Sequence, residues 1–331
     1  MKQPFVTEIL KRIAPRIRAK LIIEPEYKFV GQIIFKNGKK TFFNNTSFNI
    51  NHLGSVGISK DKGYSAFFLN RMGYKIPEGN TFFSKELNDN IKIKRTIDDG
   101  FKYAEKLGFP VILKPNSKSQ GVLVAKIHNK TEYYRVAKKI LKVSTVMIVE
   151  RFYEGKDYRV VVLDDKVISA YQRIPLYIVG DGKDNILKLL KKKQKQFEKD
   201  GRDTRIEFED FRMQLKLKRK ALTFKSVITK GQKISLLDNA NLSTGGSALD
   251  VTETIHPKFR DLSIRITKDM GLRLCGVDII TGDITEDNDD YVVIEINGAP
   301  GLDNYGSIGK KQQRIVDDLY LQILKSLESE R

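Results

Sequence analysis

The sequence predicts an α+β (α/β) enzyme body of two lobes, with a short N-terminal region and a basic inserted lobe. Three observations predict it. Apolar runs of strand length alternate with segments of helical period along most of the chain. At 331 residues, 40% hydrophobic and 31% charged, the chain is long enough for more than one core. Two C-terminal strands also carry acids: Asp278 lies inside LCGVDII, and Glu295 and Asn297 lie in YVVIEINGAPG at 291–301. Buried acids are kept only with a partner. For two carboxylates and an amide that partner is a hard divalent cation such as Mg2+, which commonly arrives with nucleotide phosphates.

The elements follow in order. Residues 1–20 read as a basic helix, with Phe5, Ile9, Leu10 and Ile13 in register and Pro15 breaking it. Residues 28–50 read as two or three strands, with Asn37-Gly38 marking a hairpin. A helix over 59–73 ends at Gly73, and YKIPEGNTFF is a strand interrupted by Pro-Glu-Gly. A helix over 96–107 stops at Gly108 and leads to the strand FPVILKP, the turn NSKSQG and the strand VLVAKI. A helix over about 131–141 precedes the strands VSTVMIVE, FYEGKDYRVVVLDD and KVISAYQRIP. Residues 183–235 are strongly basic and read as a helix, a loop and then strands. NLSTGGSALDVT is a polar, Gly-rich loop, and His256-Pro257 opens a helix. The two acid-bearing strands form a hairpin, and KQQRIVDDLYLQILKSLE is a closing amphipathic helix. The expected domains are 1–58, 59–150 and 151–331, the last carrying the insertion at about 183–235.

The net charge of +19, from 60 basic and 41 acidic residues, fits either polyanionic partners or plainly solvated lysine faces. The basic segment has few interleaved aromatics, a poor platform for stacking bases, so nucleic acid is not an expected partner. No apolar run approaches 18 residues, the N-terminus lacks a signal-peptide core, and Cys275 is the single cysteine. A cytoplasmic location without a membrane partner is therefore expected. His52 and His128 lack metal-ligand spacing, and Cys275 reads as a small buried residue.

The segments FPVILKP, VERFYEGKDYRVVV, GDGK, NLSTGGSALDVT, CGVDII and VIEINGAPG occur in that order. From about residue 59 to about 315 the chain thereby resembles the ATP-grasp superfamily of carboxylate–amine ligases, in particular the ATP-grasp module of cyanophycin synthetase, whereas residues 1–58 match poorly. The resemblance implies the ATP-grasp fold, two lobes gripping ATP between them. It implies amide-bond formation through an acyl-phosphate, with release of ADP and phosphate. Asp278, Glu295 and Asn297 are the implied Mg2+ ligands, Glu295 bridging two ions, with Mn2+ as the alternate metal. Lys114 is the implied phosphate lysine, and Lys62 a second one, with Lys60 competing for that place.

Gln120 and Gly121 lie in the implied mobile loop over the triphosphate, or in a plain hairpin turn. Glu150 and the backbone of Arg151 and Phe152 receive adenine, and Asp157 takes the ribose hydroxyls or serves as a turn residue. Arg159 and Arg173 face the reaction centre, Arg173 being favoured for the transition state, or else each is a structural salt bridge. Asn241, Ser243, Gly245 and Gly246 are donors near acceptor and phosphate, and Asp250 places the amine or caps a turn. The implied substrates are amino acids or a peptide. The basic residues Lys191, Lys192, Lys193, Arg219 and Lys220 either hold an acidic peptide or form a solvated face. A homodimer is the candidate assembly. The rival readings are phosphorylation of a small polyanion on the same fold, and modification of a ribosomally made precursor peptide.

Overall fold

The structure, a computed structural model, describes residues 4–202, 204–307 and 309–329. Helix α1 (Phe5–Ile13) forms because Val6, Ile9, Leu10 and Ile13 bury along one stripe, and Pro15 falls within the 3-10 turn Ala14–Ile17 that follows. Next comes an antiparallel sheet of β1 (Lys20–Ile23), β2 (Val30–Ile34), β3 (Lys40–Asn44) and β4 (Ser47–Phe48), in that spatial order. The strand β1 was not expected: its four residues are only half-buried and carry little pattern. The single helix expected over 59–73 is two, α2 (Leu53–Lys60) and α3 (Lys62–Arg71). The break is at Asp61, whose side chain caps α3 by accepting from the Tyr64 amide.

The first lobe holds β5 (Gly79–Phe83), α4 (Lys85–Ile91), α5 (Ile97–Leu107), β6 (Val111–Pro115), β7 (Ala125–Ile127), α6 (Lys130–Ile140) and β8 (Val146–Arg151). Pro77 and Glu78 precede β5 rather than interrupting it, and residues 121–124 turn before β7 begins. The sheet order is β5-β8-β6-β7. Val111, Leu113, Met147 and Val149 pack on Phe101, Tyr133 and Val136 of α5 and α6. Strand alternation turns Lys114, Ile148 and Glu150 to the opposite face, toward a cleft.

The second lobe begins with β9 (Lys156–Leu163) and β10 (Lys166–Ile174). An excursion follows, made of β11 (Tyr177–Val179), α7 (Ile186–Lys199), α8 (Phe211–Arg219) and β12 (Lys233–Ser235). The chain returns as β13 (Ser247–Asp250), α9 (Pro257–Asp269), β14 (Leu274–Thr281), β15 (Tyr291–Asn297), α10 (Asp303–Gly306) and α11 (Lys310–Ser329). The large sheet is antiparallel throughout, in the order β13-β10-β9-β14-β15. One face buries Tyr158, Val160, Val162, Val277 and Ile279 against α9. The other face is divided. Val161, Leu163 and Leu274 join α1, α11 and the N-terminal sheet in a core, and the remainder is charged.

Helix α8 replaces the strands expected there. Met213, Leu215 and Leu217 alternate with polar residues, a period of two that reads as a strand. In a helix, positions two apart lie about 200° around the axis. Leu215 therefore points into the first-lobe core, while Met213 and Leu217 point into the core of the excursion. Among the described residues no helix is long and apolar enough to cross a membrane, and Cys275 is buried.

Asn51 ties the N-terminal segment to the large sheet. Its amide nitrogen donates to the carbonyls of Leu274 (2.7 Å) and Gly298 (2.6 Å), and its oxygen accepts from the amides of Arg273 (2.7 Å) and Leu274 (3.0 Å). All four bonding positions of the carboxamide are filled. Asn51→Ala should lower the unfolding free energy by about 2 kcal/mol or more, read by chemical denaturation, because two carbonyls and two amides lose their partner together.

Candidate active site

Register builds the site. On the divided face, Asp250 of β13 lies opposite Tyr171 of β10, Tyr171 opposite Arg159 of β9, Arg159 opposite Asp278 of β14, and Asp278 opposite Glu295 of β15. One pair further along, Arg173 faces Asp157, and Asn297 lies two residues beyond Glu295. A bulge in the β14–β15 pairing after Asp278 leaves Ile294 as the extra residue, so Ile294 and its neighbour Glu295 line the same cavity.

Arg159 grips Asp278 with two parallel bonds, Nε to Oδ1 and Nη2 to Oδ2, each 2.7 Å. Arg173 adds Nη2 to Oδ2 of Asp278 at 2.9 Å and binds Oδ1 of Asp157 at 2.6 Å. The side chains of Asp278 and Arg173 are 1% and 5% exposed. Burial alone pushes the Asp278 carboxyl up, but Arg159 and Arg173 together hold it below the usual range. Asp157 has the opposite balance: burial raises its carboxyl, and Arg173 offsets this only in part. At the cleft, Lys62 Nζ lies 3.1 Å from Glu295 and Lys114 Nζ 2.7 Å from Glu150. Lys62 also donates to the Lys118 carbonyl at 2.8 Å. Lys60, at the exposed end of α2, faces none of this, so Lys62 is the cleft lysine.

Two cavities meet here and share Ser119, Gln120, Arg173, Asn241 and Glu295. The smaller, of about 150 Å3, also takes Lys62, Lys114, Gly121, Glu150, Arg151, Phe152 and Asp157 into its lining, together with apolar walls from Ile112, Ile280 and Ile294. The larger, of about 650 Å3, is lined by Arg159, Ser243 and Asn297, and by Phe5, Phe29, Asn45, Thr46, Asp303 and Asn304. Of the expected site residues, Asp278 is buried behind the lining, reached through Arg159 and Arg173, and two others stand apart from the cavities. Gly245 packs on Leu176 and Ile206, and Gly246 is hemmed in by the carbonyls of Ala240, Asn241 and Ile174; neither lines a cavity. Asp250 is anchored by the Thr252 amide and hydroxyl, Tyr305 and Gln312, which makes it a brace for the sheet. The Arg151 side chain leaves the cleft to pair with Glu78 at 2.8 Å.

Sequence reasoning missed Lys126, whose ammonium sits 3.4 Å from the Phe152 ring centre and is pushed down in pKa by burial. Its signal was alternation: it pairs with Ile112, two residues before Lys114. The N-terminal lining residues gave no signal, because they come from a helix end and turns far from any motif.

For a hard cation the donor set is two carboxylates and a carboxamide. Oδ1 of Asp278 accepts only one bond, and the buried Asn297 amide nitrogen has no partner, so this carboxamide is not engaged by the protein and can turn its oxygen inward. Two carboxylates and a carboxamide are the oxygen donors a hard cation such as Mg2+ takes, although Asp278 also holds Arg159 and Arg173.

Along most of its length the chain is similar to known proteins. The family model "D-ala D-ala ligase C-terminus" matches residues 71–182, and the "RimK-like ATP-grasp domain" model matches residues 228–318. A solved bifunctional glutathione synthetase from Pasteurella multocida superposes with a TM-score of 0.61 at 23% identity, over 97% of this chain and 44% of its own. The chain belongs to the ATP-grasp superfamily of ligases. Within it, the sequence is similar to cyanophycin synthetase of Trichormus variabilis, 34% identical over 254 residues, which is 75% of this chain and 27% of that protein. The glutathione biosynthesis bifunctional protein of Desulfotalea psychrophila is 25% identical over 327 residues, 96% of this chain and 40% of its own length. The chain thus spans well under half of these relatives. The likeness expected from about residue 59 onward extends into the N-terminal region.

Replacing Asp278 tests the buried ion group. Asp278→Ala leaves Arg159 buried without its carboxylate and should cost roughly 3–5 kcal/mol in denaturant unfolding. The folded carboxyl is depressed, so its stabilisation is fully present above the unfolded value of about 3.9 and is lost as pH falls through the lower folded value. Asp278→Asn should therefore flatten the acid limb of the stability–pH curve relative to the parent protein.

Proposed function

We propose that this chain is an ATP-dependent ligase that joins a carboxylate to an amine of amino-acid or peptide substrates. The observation that carries this reading is the cross-sheet row Arg159, Asp278 and Glu295, with Asn297 beside it: Glu295 lines both cavities, Arg159 and Asn297 line the larger, and Asp278 is buried behind them on Arg159 and Arg173. ATP binds across the smaller cavity and the cleft that adjoins it through Lys62, Lys114, Glu150 and Glu295. Adenine lies among Ile112, Ile280 and Ile294, and its amino group donates to Glu150. Lys62 and Lys114 each exchange a carboxylate partner for phosphate oxygens, which frees Glu295 and Glu150 for their own ligands. Asp278, Glu295 and Asn297 would hold Mg2+, which neutralises phosphate charge when bound.

The substrate carboxylate enters from the larger cavity. Its oxygen forms a bond to the γ-phosphorus as the bond to the ADP oxygen breaks. The amine nitrogen then bonds to the acyl carbon, phosphate leaves with the acyl C–O electron pair, and the amine gives up its proton. Arg173 and Arg159, fixed by Asp157 and Asp278, present guanidinium charge that need not reorganise as the phosphoryl group moves. Positioning and charge neutralisation suffice, so no dedicated base is required of the protein.

The amine and the carboxylate are selected by the larger cavity. Among its described lining residues are aromatic rings, carboxamides, Glu295 and Asp303, and its cations, Arg159 and Arg173, are already paired with Asp278 and Asp157. That supports a small amino-acid or peptide group over a strongly acidic one. In the basic excursion Arg219 already pairs with Glu132 at 2.8 Å and Lys192 with Asp181 at 3.3 Å, while Lys191 and Lys220 lie on its exposed face.

Glu295→Ala should reduce ATP turnover by about a thousandfold or more while leaving the unfolding transition in place, measured as ADP release with candidate amino acids and peptides and mass spectrometry of the product. Full turnover in that variant, or a stable phosphoester in place of an amide, would overturn the reading.

A further inference from the structure

The turn over residues 116–124 closes one side of the nucleotide cavity: Lys118, Ser119, Gln120, Gly121 and Val124 line it. Its backbone is strained, with φ of 59° at Gln120, 70° at Gly121 and 55° at Leu123. Two of these are not glycine, so the turn needs outside support to hold this shape. That support comes from a distant stretch of chain. Arg212 of α8 donates Nη1 to the carbonyls of Gly121 (2.6 Å) and Val124 (3.2 Å). The rest of its guanidinium is fixed by Asp210, with Nη2 to Oδ2 at 2.6 Å, and both side chains are nearly buried. Ser243 donates to the Gln120 carbonyl at 3.3 Å, and Gly121 lies so close to the carboxamides of Asn239 and Asn241 that a Cβ would collide with them.

Helix α8 is suited to this role. Arg212, Lys216 and Arg219 are spaced four and three apart, on one helical face. Arg219 binds Glu132 of α6 with a two-pronged contact (3.0 and 2.8 Å) and the Lys126 carbonyl at 2.8 Å, while Lys216 binds Asp238 and the Leu237 carbonyl. Phe211 and Leu215 seat the same helix on the first-lobe core. The basic stripe is therefore directed inward. It joins the excursion to the first lobe across the nucleotide cavity.

We propose that Arg212 is a positioning residue for the nucleotide: from the inserted segment it clasps the 116–124 turn closed against the phosphate side of the cavity. It touches turn carbonyls, so it acts by setting where the turn's amides and the Lys118 carbonyl that anchors Lys62 lie. The proposal rests on the ATP-dependent reading above. Its signature is selectivity: loss of the clasp should weaken the hold on the triphosphate and leave the adenosine end unaffected.

The test compares Arg212→Lys, which keeps the charge but loses the fork, with the double variant Arg212→Met and Asp210→Asn, which leaves no buried carboxylate unpaired. Binding of Mg–ATP and of adenosine is titrated for each, and amide hydrogen exchange is followed over residues 117–124. The expected result is a loss of about tenfold in ATP affinity for the double variant, a smaller loss for Arg212→Lys, unchanged adenosine affinity, and faster exchange confined to the turn. Unchanged ATP affinity, or ATP and adenosine affinities falling together, would overturn the clasp. If the parent protein binds no Mg–ATP, the ligase reading fails. The nucleotide-positioning role then falls with it, and exchange tells the two failures apart: faster exchange shows that Arg212 holds a turn with no nucleotide to position, and unchanged exchange refutes the contact as well.

Discussion

A carboxylate buried between two guanidinium groups sets the terms for everything around it. Asp278 is withdrawn from water, which costs several kcal/mol for an ion unless close partners replace the solvent. Those partners are Arg159 and Arg173, on two different strands, and they meet it only if β10, β9 and β14 keep one register. A slip of one residue in β9 or β14 would turn Arg159 or Asp278 into the apolar layer under α9 and bring Val160 or Val277 into its place. The ion group and the hydrophobic face therefore specify the same alignment. Two bulges depart from regular pairing: one between Val167 and Ser169 in β10, away from the charges, and one beyond Asp278, which brings both Ile294 and Glu295 to the nucleotide cavity.

Most of the charge at the cleft is paired before any ligand enters. Lys62, Lys114, Arg159 and Arg173 stand against Glu295, Glu150, Asp278 and Asp157, and Lys126 adds an ammonium over the Phe152 ring. Most of the chain's positive excess lies elsewhere, and the pairs that α8 makes with the first lobe hold some of its cations inside. A polyanion entering such a cleft gains from partner exchange as well as from net charge, since Lys62 and Lys114 already point at acceptor positions. The arginines differ from the lysines in this respect. Their forks are fixed by carboxylates deeper in the sheet, so they offer oriented charge without being released.

How far the sequence revealed this depends on where each residue sits. Asp278, Glu295, Arg159, Arg173, Lys114 and Glu150 were legible because a charge inside an apolar strand is rare and alternation gives its direction. Gly245 and Gly246 were misread: a Gly-rich loop suggests backbone donors to phosphate, yet here the missing Cβ lets two chain segments pack closely. Helix α8 imitated a strand because it is buried on two sides by two different cores. Phe29, Asn45 and Asp303 could not be found at all. No local pattern marks a turn residue that a distant sheet brings to the cavity.

The division between strand and turn also orders the functions. The charged groups of the cleft are borne mainly on strands of two sheets, held in position by ladders and ion pairs. The groups that enclose the ligands come from turns at 116–124, 239–246 and 299–304 and from the N-terminal segment. Charge stabilisation demands fixed geometry, because a displaced guanidinium loses its electrostatic advantage. Enclosure demands the reverse: the wall must open for the nucleotide and close behind it. A turn that is strained on its own and closed only by contacts from another part of the chain meets that second demand. Its closed state can be reached, held and left without disturbing the register that keeps Asp278 paired.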